Sequence, residues 1–280
     1  IIGAGNVGVT LAKKLEIVAD YELIYHSKNS KEYAIENGLS PSKLSDWQSA
    51  KFDGKFIIIA VKDNDIEAVV SQFTELHQSQ LKDKLVFHTS GTLPKNCLND
   101  LQLYGVKIAA VHPYQTFYFN EVKVLDGIAW GVDSDENDFK IISEFIEQIG
   151  GTAIKLSSDS INKKALYHIS AVAASNFMAL SIDLAKEIAE DSGIDANDFL
   201  PQILETTLQN NIRQIGSESP AITGPVVRGE VETIAKHIEA LGQSINAVIY
   251  KNMCESLALM AFDKGILSGE KFEQIMELLD

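Results

Sequence analysis

Three glycines near the start of the chain constrain its fold more than any other feature. Gly3, Gly5 and Gly8 lie between two isoleucines and a segment, Val9–Leu15, that has the composition of a helix. In this context the first glycine permits a tight turn, the second lets backbone approach a pyrophosphate, and the third lets the helix pack on the strand. The start of the helix then directs unpaired N–H groups and a positive dipole end at the phosphates. The predicted cofactor-binding turn comprises Gly3, Gly5, Asn6, Val7 and Gly8. The alternative is a glycine-rich turn that binds nothing.

The first strand of the predicted fold is short in this sequence. Only Ile1 and Ile2 precede the turn, whereas a strand usually has about five residues. Residue 1 is also not Met. We therefore expect the natural chain to begin a few residues earlier and to complete this strand.

Composition excludes several classes of partner. The chain has 280 residues, of which 45% are hydrophobic. This is enough for a substantial core, and the length favours two domains over one. The formal net charge of −15 disfavours nucleic acid, and without a basic run an anionic membrane is disfavoured too. The two cysteines, Cys97 and Cys254, have no metal-ligand spacing, so we expect reduced thiols, a cytoplasmic location and no metal.

One stretch, Ala165–Ile182, runs 18 residues without Lys, Arg, Asp or Glu. Its length would admit a membrane span. It also carries His168, Ser175 and Asn176. Those polar side chains favour a buried helix in a soluble helical domain.

The first half of the chain alternates strand-like and helical segments. Predicted strands cover Tyr21–His26, Phe56–Val61, Leu85–His88, Lys107–Val111, Ile128–Val132 and Thr152–Leu156. Helical patterns at Asp65–His77 and Asp138–Ile149 separate some of them. This alternation predicts an α/β fold with a doubly wound, mostly parallel sheet.

The second half has helical periodicity and almost no strand pattern. Predicted helices cover Ile161–Asp191, Ala196–Gly216, Val231–Ala240, Ser244–Lys264 and Glu270–Leu279. We therefore predict a nucleotide-binding domain over 1–157 and an all-helical dimerisation and substrate domain over 158–280.

The loop after the second predicted strand indicates which dinucleotide binds. An Asp or Glu here usually bonds the ribose 2′-hydroxyl of NAD, but this chain has Ser27, Lys28 and Ser30. These side chains suit a 2′-phosphate, so NADP is favoured over NAD. The alternative is a solvated loop. We also place Val61 and Lys62, at the end of the next predicted strand, in the cofactor site.

Two histidines lie at the carboxyl ends of predicted strands, where open α/β sheets bind ligands. Ser90 comes two residues after His88, and Gln115 comes three residues after His112. An imidazole can hydrogen-bond a carbonyl or carboxylate, or exchange a proton with it. We predict that these four residues bind substrate. The alternative is that each histidine bonds backbone at its strand end.

Polar side chains recur along the apolar helix. Lys164 and His168 are four residues apart and share a face, and Asn176 lies two further turns along. Such groups are costly in apolar surroundings unless they are paired. We predict that these three residues are catalytic, in a cleft between the domains. The alternative is a buried hydrogen-bond network between helices.

A later loop, residues 223–229, presents Thr223 and Arg228. A guanidinium grips a carboxylate or phosphate by two parallel hydrogen bonds. We predict that both residues bind substrate, the alternative being an arginine that bonds loop carbonyls.

These motifs together resemble a known group of proteins. The segments that carry the resemblance are the glycine turn, His88-Thr89-Ser90-Gly91, His112-Pro113-Tyr114-Gln115-Thr116-Phe117, Tyr167-His168 with Asn176, and Thr223-Gly224-Pro225 with Arg228. They are similar to a bacterial family of NADP oxidoreductases whose second domain has unknown function. More distantly, the chain resembles 6-phosphogluconate dehydrogenase-like and pyrroline-5-carboxylate reductase-like enzymes. The resemblance implies a Rossmann domain followed by a helical, dimer-forming domain like that of 6-phosphogluconate dehydrogenase.

One departure from the wider superfamily bears on the chemistry. In its β-hydroxyacid dehydrogenase branch, a helix carries Lys as acid/base and Asn four residues later. Here Lys164 matches the Lys, but His168 takes the Asn position. The resemblance therefore does not imply a hydroxyacid substrate.

The sequence predicts an NADP-dependent oxidoreductase acting on a small carbonyl, imine or alcohol. Two alternatives stay open: a non-catalytic NADP-binding sensor or scaffold, and a deazaflavin-dependent NADP reductase. We expect a homodimer through the C-terminal helices, because the second domain is too apolar to stand alone.

Overall fold

The computed structural model describes residues 1–156, 161–218 and 220–280, without the side chains of residues 161 and 162. The chain forms two compact units, Ile1–Ser175 and Asn176–Asp280. The predicted domain boundary, between residues 157 and 158, lies outside the described residues. The division between the two compact units falls after Ser175, inside the helix Ile161–Asp191.

A β-sheet forms the centre of the first unit. Its strands are β1 (Leu23–Ile24), β2 (Leu44–Ser45), β3 (Phe56–Ile59), β4 (Leu85–His88), β5 (Lys107–Pro113), β6 (Ala129–Asp133) and β7 (Thr152–Lys155). The order is β3-β4-β5-β6-β7, and only the β5–β6 pair is antiparallel within that sheet. Ile2 bridges Ile24 and Ile59 in parallel and so joins the β1–β2 pair to β3. The predicted doubly wound, mostly parallel sheet is confirmed.

Helices cover both faces of this sheet. They are α1 (Asn6–Val18), α2 (Lys28–Glu36), α3 (Ile66–His77) and α4 (Glu136–Gln148), with a 3₁₀ helix over Lys95–Tyr104 between β4 and β5. One apolar core packs α3 and the 3₁₀ helix on one face, and another packs α1 and α4 on the opposite face. The sequence pattern predicted neither the 3₁₀ helix nor β2, because both are too short or irregular to show a period.

Strand register determines which polar side chains share a face. His88 pairs with Ala110, and Ala110 pairs with Asp133. Cross-strand partners point to the same side, and alternate residues along a strand do too. His88, His112 and Asp133 therefore project from one face, the face that packs against α3 and the 3₁₀ helix.

The second unit is helical, as predicted. The helices of this half are α5 (Ile161–Asp191), which begins in the first unit, then α6 (Leu200–Gln214), α7 (Val231–Leu241), α8 (Ile245–Asp263) and α9 (Gly269–Leu279). The single helix predicted over Ala196–Gly216 is instead a 3₁₀ turn followed by α6, because Pro201 occupies the first turn of α6. A small core joins α7, α8 and α9.

The expectation that the apolar helix is buried is wrong for this chain. In the most apolar 18-residue window of Lys163–Asp191, no residue is buried. By its length and composition alone, this helix could cross a membrane. Phe177 is 59% exposed and Leu166 63% exposed. The physical reason is that the apolar cluster involving α5 and α6 is small and lies at the far end of α5, around Ala189 and Leu200.

Candidate functional site

The glycine turn lies where β3 ends and α1 begins. Gly3 has a φ of +110°, and a Cβ there would lie 2.8 Å from the carbonyl carbon of Ala60. A Cβ at Gly8 would collide with the carbonyl oxygen of Gly3. A Cβ at Gly5 would meet no described atom within 4 Å. The protein's own packing therefore requires the first and third glycines, whereas the second faces open space.

The start of α1 also suits an anionic ligand. Gly5 is its N-cap, and no side chain in the described part of the chain caps that terminus. Helix N–H groups without a partner attract anions, and the dipole adds to that attraction. Val7 contributes backbone to this first turn and packs against the apolar core between the sheet and helices α1 and α4.

Asn6 connects this turn to distant segments. Its Nδ2 donates to the carbonyl of Phe117 at 2.6 Å, and its Oδ1 accepts from the hydroxyl of Tyr33. Buried Asn120 donates to the same tyrosine oxygen at 2.5 Å and accepts from Thr10 at 3.4 Å. This network ties the segment after β5 to α1. Sequence reasoning missed Tyr33 and Asn120, because polar residues with such distant partners carry no local pattern.

The predicted 2′-phosphate residues surround the start of α2. Ser27 Oγ accepts from the Ser30 N–H at 3.2 Å, and Ser30 Oγ accepts from the Ser27 N–H at 3.0 Å. The two serines thus form a capping box. Lys28 is 86% exposed and lies 3.5 Å from Glu32. The serine hydroxyls therefore have structural partners, and the lysine supplies exposed positive charge.

The other predicted cofactor residues follow β3. Val61 lies against the glycine turn, since its Cγ1 would be 3.0 Å from a Cβ at Gly3. Lys62 is exposed and precedes a 3₁₀ turn, Asp63–Asp65.

Buried His88 shapes the loop over residues 89–94. Its Nδ1 accepts from the Ser90 N–H at 3.2 Å, and its Nε2 donates to the Pro94 carbonyl at 3.2 Å. Burial, with the nearby Lys164 charge, lowers the pKa of His88 to about 4. Ser90 Oγ accepts from the backbone N–H groups two and three residues further on, at 3.2 and 3.0 Å. Both predicted substrate residues are therefore engaged within the protein.

This loop brings Gly91 against two imidazoles. A Cβ at Gly91 would lie 2.8 Å from His112 Nε2 and closer still to His168 Nδ1. The two rings have centroids 5.5 Å apart and planes at 78°. His168 Nδ1 is buried and has no hydrogen-bond partner among the described residues. The structure thus brings together His112 and His168, two of the predicted site residues, and packs both imidazoles so closely on Gly91 that no side chain would fit there.

Tyr167 orients the His112 ring. Its hydroxyl oxygen lies 3.5 Å from His112 Nδ1, and the two rings pack edge to face. Burial, followed by the neighbouring Tyr114, raises the pKa of Tyr167 to about 12, although an N–H from Gly131 works in the opposite direction. The hydroxyl therefore keeps its proton at neutral pH and can donate it to His112.

Lys164 lies beneath the same loop. It is only 6% exposed, and its Nζ donates to the carbonyl of Leu93. Burial lowers its pKa to about 8, although the nearby Asp133, Cys97 and Asp63 oppose that effect. The lysine therefore supports the loop and carries a positive charge inside the cluster.

Two aspartates lie near this cluster, and Asp133 was not predicted as a site residue. Asp133 is buried, accepts from the Lys95 N–H at 3.2 Å, and leaves Oδ1 without a partner among the described residues. Asp63 accepts from the Thr92 hydroxyl at 2.7 Å. Asp133 ends a strand, the same signal that singled out the histidines and that could have found it.

The remaining predicted site residues lie elsewhere. Gln115 follows β5, where its side chain bonds the Thr116 N–H and the Val124 carbonyl. Asn176, Thr223 and Arg228 belong to the second unit. Arg228 is exposed and binds Glu230 through Nε at 2.6 Å and Nη2 at 3.3 Å.

Several solved structures share this architecture. A provisionally named NADP oxidoreductase from Bacteroides fragilis is 23% identical, with a TM-score of 0.68 over 91% of this chain and 95% of that one. A protein from Thermotoga maritima is 24% identical, with a TM-score of 0.68 over 93% and 99%. An imine reductase from Myxococcus stipitatus in complex with NADP⁺ is 13% identical, with a TM-score of 0.65 over 100% and 98%. At these identities the likeness shows the fold alone.

Two family models match the sequence itself. A Rossmann-like domain covers residues 1–113, and the domain of unknown function DUF2520 covers residues 128–257. No curated protein matches the chain. The chain therefore combines a Rossmann-like domain with a DUF2520 domain, which confirms the two-domain resemblance inferred from its motifs.

Proposed function

We propose that this chain is an NADP-dependent oxidoreductase that transfers a hydride to or from a small carbonyl, imine or alcohol. The observation that carries the proposal is the glycine turn, where neighbouring backbone leaves no space for a Cβ at Gly3 or Gly8, whereas Gly5 faces open space. The similar folds support it, since one is named as an NADP oxidoreductase and another as an imine reductase in complex with NADP⁺.

The turn fits the pyrophosphate of a dinucleotide. The backbone of Gly5, Asn6 and Val7 would hold it, because a side chain is missing at the open position and no described side chain caps the start of α1. When bound, the nicotinamide supplies the hydride chemistry, and the protein supplies orientation and the proton.

Charge near α2 supports NADP over NAD. Lys28 is exposed beside the capping box, and Lys31 Nζ lies 5.2 Å from the centre of the Tyr25 ring. No Asp or Glu stands between β1 and α2 to bond a ribose hydroxyl. A 2′-phosphate would thus meet the positive charge of Lys28, for which it would compete with the Glu32 carboxylate.

The proposed roles at the reacting centre follow from the cluster around Gly91. Lys164 and His168 polarise or protonate the substrate, with His112 beside them. Substrate orientation by Asn176 and the anchoring of an acid group by Thr223 and Arg228 stay predictions, since these residues belong to the second unit. Arg228 would have to exchange Glu230 for that group, because its guanidinium is engaged there.

Cofactor binding tests this proposal first. Titration with NADPH and NADH, followed by nucleotide fluorescence, should show tighter binding of NADPH. Lys28→Ala should weaken NADPH about tenfold and leave NADH unchanged, since one charge contact to the phosphate is lost. Lys82→Ala, at an exposed lysine outside this terminus, is the control. Absence of binding by either nucleotide would refute the proposal.

Turnover separates the alternatives. A panel of keto acids, aldehydes, ketones and cyclic imines with NADPH should reveal oxidation of the cofactor. Binding without turnover across the panel would favour a sensor or scaffold, and turnover only with a deazaflavin would favour the reductase of that class.

We also propose a cytoplasmic homodimer formed through the helical unit. Large apolar side chains are exposed there, including Phe177 (59%), Ile203 (58%) and Val248 (54%), and covering them would be favourable. Both cysteines are free thiols, as a reducing compartment allows. Light scattering in detergent-free buffer should give twice the chain mass. A monomer at micromolar concentration, or recovery only with membranes, would overturn this.

A further inference from the structure

We propose that Tyr33 is a positioning residue for the cofactor, which holds the pyrophosphate-binding turn and the start of α2 at the spacing that NADP requires. The inference rests on the proposed function and deepens it, because it explains how one ligand is recognised through two phosphate positions at once. In this role Tyr33 acts through its hydrogen bonds to Asn6 and Asn120.

Asn6 is the residue through which these bonds reach the phosphate-binding turn. It is the first residue of α1 and follows Gly5, so its backbone N–H is among the helix N–H groups that have no partner within the helix. Its Nδ2 donates to the carbonyl of Phe117 at 2.6 Å, and its Oδ1 accepts from the Tyr33 hydroxyl. A displacement of this side chain would therefore displace the N–H groups that are proposed to meet the pyrophosphate.

The donors and acceptors around the Tyr33 hydroxyl leave it one arrangement. A backbone carbonyl only accepts, so Nδ2 of Asn6 faces Phe117, and its Oδ1 faces Tyr33, which must donate. The tyrosine oxygen then accepts from Asn120 Nδ2 at 2.5 Å. The Tyr33 hydroxyl is thus a donor to α1 and an acceptor from the segment after β5.

Asn120 binds the other side of that hydroxyl. It is buried, and its Nδ2 also donates at 3.0 Å to Oδ1 of Asn37, the residue that ends α2. Its Oδ1 accepts from the Thr10 hydroxyl of α1 at 3.4 Å, and its backbone carbonyl accepts from Lys13 at 3.1 Å. A buried polar network whose donors and acceptors are all paired is rigid. Asn120 therefore fixes Tyr33 relative to both helices.

Helix α2 carries the other proposed phosphate position. Tyr33 lies in the second turn of α2, which begins with the capping box of Ser27 and Ser30 beside Lys28. The hydrogen bond from Tyr33 to Asn6 therefore joins the helix of the proposed 2′-phosphate position to the helix of the pyrophosphate position. NADP carries both groups on one ribose, at a separation that its covalent bonds limit. A second contact adds to affinity only when both contacts can be made together, so affinity for NADP depends on the spacing of the two helices.

Comparison of whole and partial ligands tests this role. NADPH spans both positions, whereas NADH lacks the 2′-phosphate and adenosine 2′-phosphate lacks the pyrophosphate. Tyr33→Phe removes both hydrogen bonds of the hydroxyl and keeps the ring. By calorimetric titration we expect NADPH affinity to fall about three- to tenfold, and the affinities of the two partial ligands to change by less than about twofold.

Asn120→Gly supplies a second variant. Asn120 has a φ of +52°, which glycine adopts freely, so this change removes the amide and keeps the path of the backbone. It should lower NADPH affinity by a similar factor, and the double variant with Tyr33→Phe should lose little more, because the two residues act as a unit. Tyr250→Phe is the matched control, since that hydroxyl lies 2.7 Å from His237 in the second unit. The control should leave all three affinities unchanged.

The outcomes separate this inference from the proposed function. Equal weakening of all three ligands in Tyr33→Phe would show a general loosening of the site, and unchanged NADPH affinity would show that the network serves stability alone. Either result would overturn the inference, while NADPH binding by the wild-type protein still supported the proposed function. Absence of that binding would instead refute the proposed function, and the inference with it. Thermal melts of each variant check that folded protein is titrated.

Discussion

The glycine turn and the cluster around Gly91 use the same residue for different physical reasons. At the turn, glycines let backbone approach backbone, and one of them, Gly5, faces open space. At Gly91, the missing side chain lets two imidazoles from distant parts of the sequence pack directly on the backbone. The first region is built from the six consecutive residues 3–8 and the second from β5, the 89–94 loop and α5.

This difference predicts a different role for each region. The turn offers backbone N–H groups, which recognise phosphate whatever the rest of the ligand is. The cluster around Gly91 offers titratable side chains, whose tautomers and charges depend on neighbours such as Tyr167 and Lys164. We therefore expect substitutions at the turn to affect folding or cofactor affinity, and those at the cluster around Gly91 to affect chemistry.

The largest effect should come from Gly8→Ala. Its Cβ would collide with the Gly3 carbonyl oxygen at the junction of α1 and the sheet, where neither backbone can move freely. We expect a loss of about 3 kcal/mol or more in unfolding free energy by urea denaturation. Gly269→Ala, whose Cβ would make an ordinary contact 3.8 Å from Phe262, is the matched control. Equal stability of the two variants would contradict the packing role of Gly8.

Lys164 should give the unfolding free energy a pH dependence of comparable size. Its pKa is about 8 in the folded chain and 10.5 as the reference value. Between these values the folded state releases the proton first, so stability should rise with pH, by on the order of 3 kcal/mol over the whole interval. Lys164→Met should lack this rise when unfolding is measured from pH 7 to 10. Parallel curves for the two proteins would show that the lysine is not buried as described.

A smaller loss of stability is expected for Gly91→Ala. The new Cβ must displace the His112 and His168 rings, which are side chains and can move, so we expect a loss of about 2 kcal/mol. Substrate turnover should fall far more than NADPH affinity. Thermal melts, NADPH titration and kcat separate these effects, and a parallel loss of cofactor affinity would remove the distinction between the two regions.

Gly5→Val should weaken binding more than it weakens stability. Its Cβ would meet no described atom within 4 Å, so the cost to folding should be that of a poorer N-cap on α1, about 1 kcal/mol or less. A pyrophosphate could then no longer approach the backbone, and NADPH affinity should fall at least about tenfold, roughly 1.4 kcal/mol. Unchanged NADPH affinity would place the phosphates elsewhere.

The smallest effect should come from Ser27→Ala. It removes one half of the capping box on α2, which is worth about 1 kcal/mol. If the hydroxyl serves only the helix, the ratio of NADPH to NADH affinity should stay constant. A lower ratio would show that Ser27 also contacts the 2′-phosphate.

The sequence alone predicted most of the fold because the relevant signals are local. The glycine spacing, the β3 run Phe56–Ile59 and the helical period after Ile161 each depend on neighbours within a few residues. The failures share a cause as well. The exposure of α5 depends on what covers it, and a period of apolar residues does not say whether the cover comes from the same chain.

Local pattern also supplied the candidate residues but not their contacts. The sequence predicted that His88 and His112 bind substrate at strand ends and that His168 is catalytic on a helix. Only the fold buries His88 between two backbone partners and turns the other two toward Gly91. Hydrogen-bond partners and electrostatic neighbours come from residues far apart along the chain, so the tertiary structure alone decides which imidazole supports a loop and which ones pack together on Gly91.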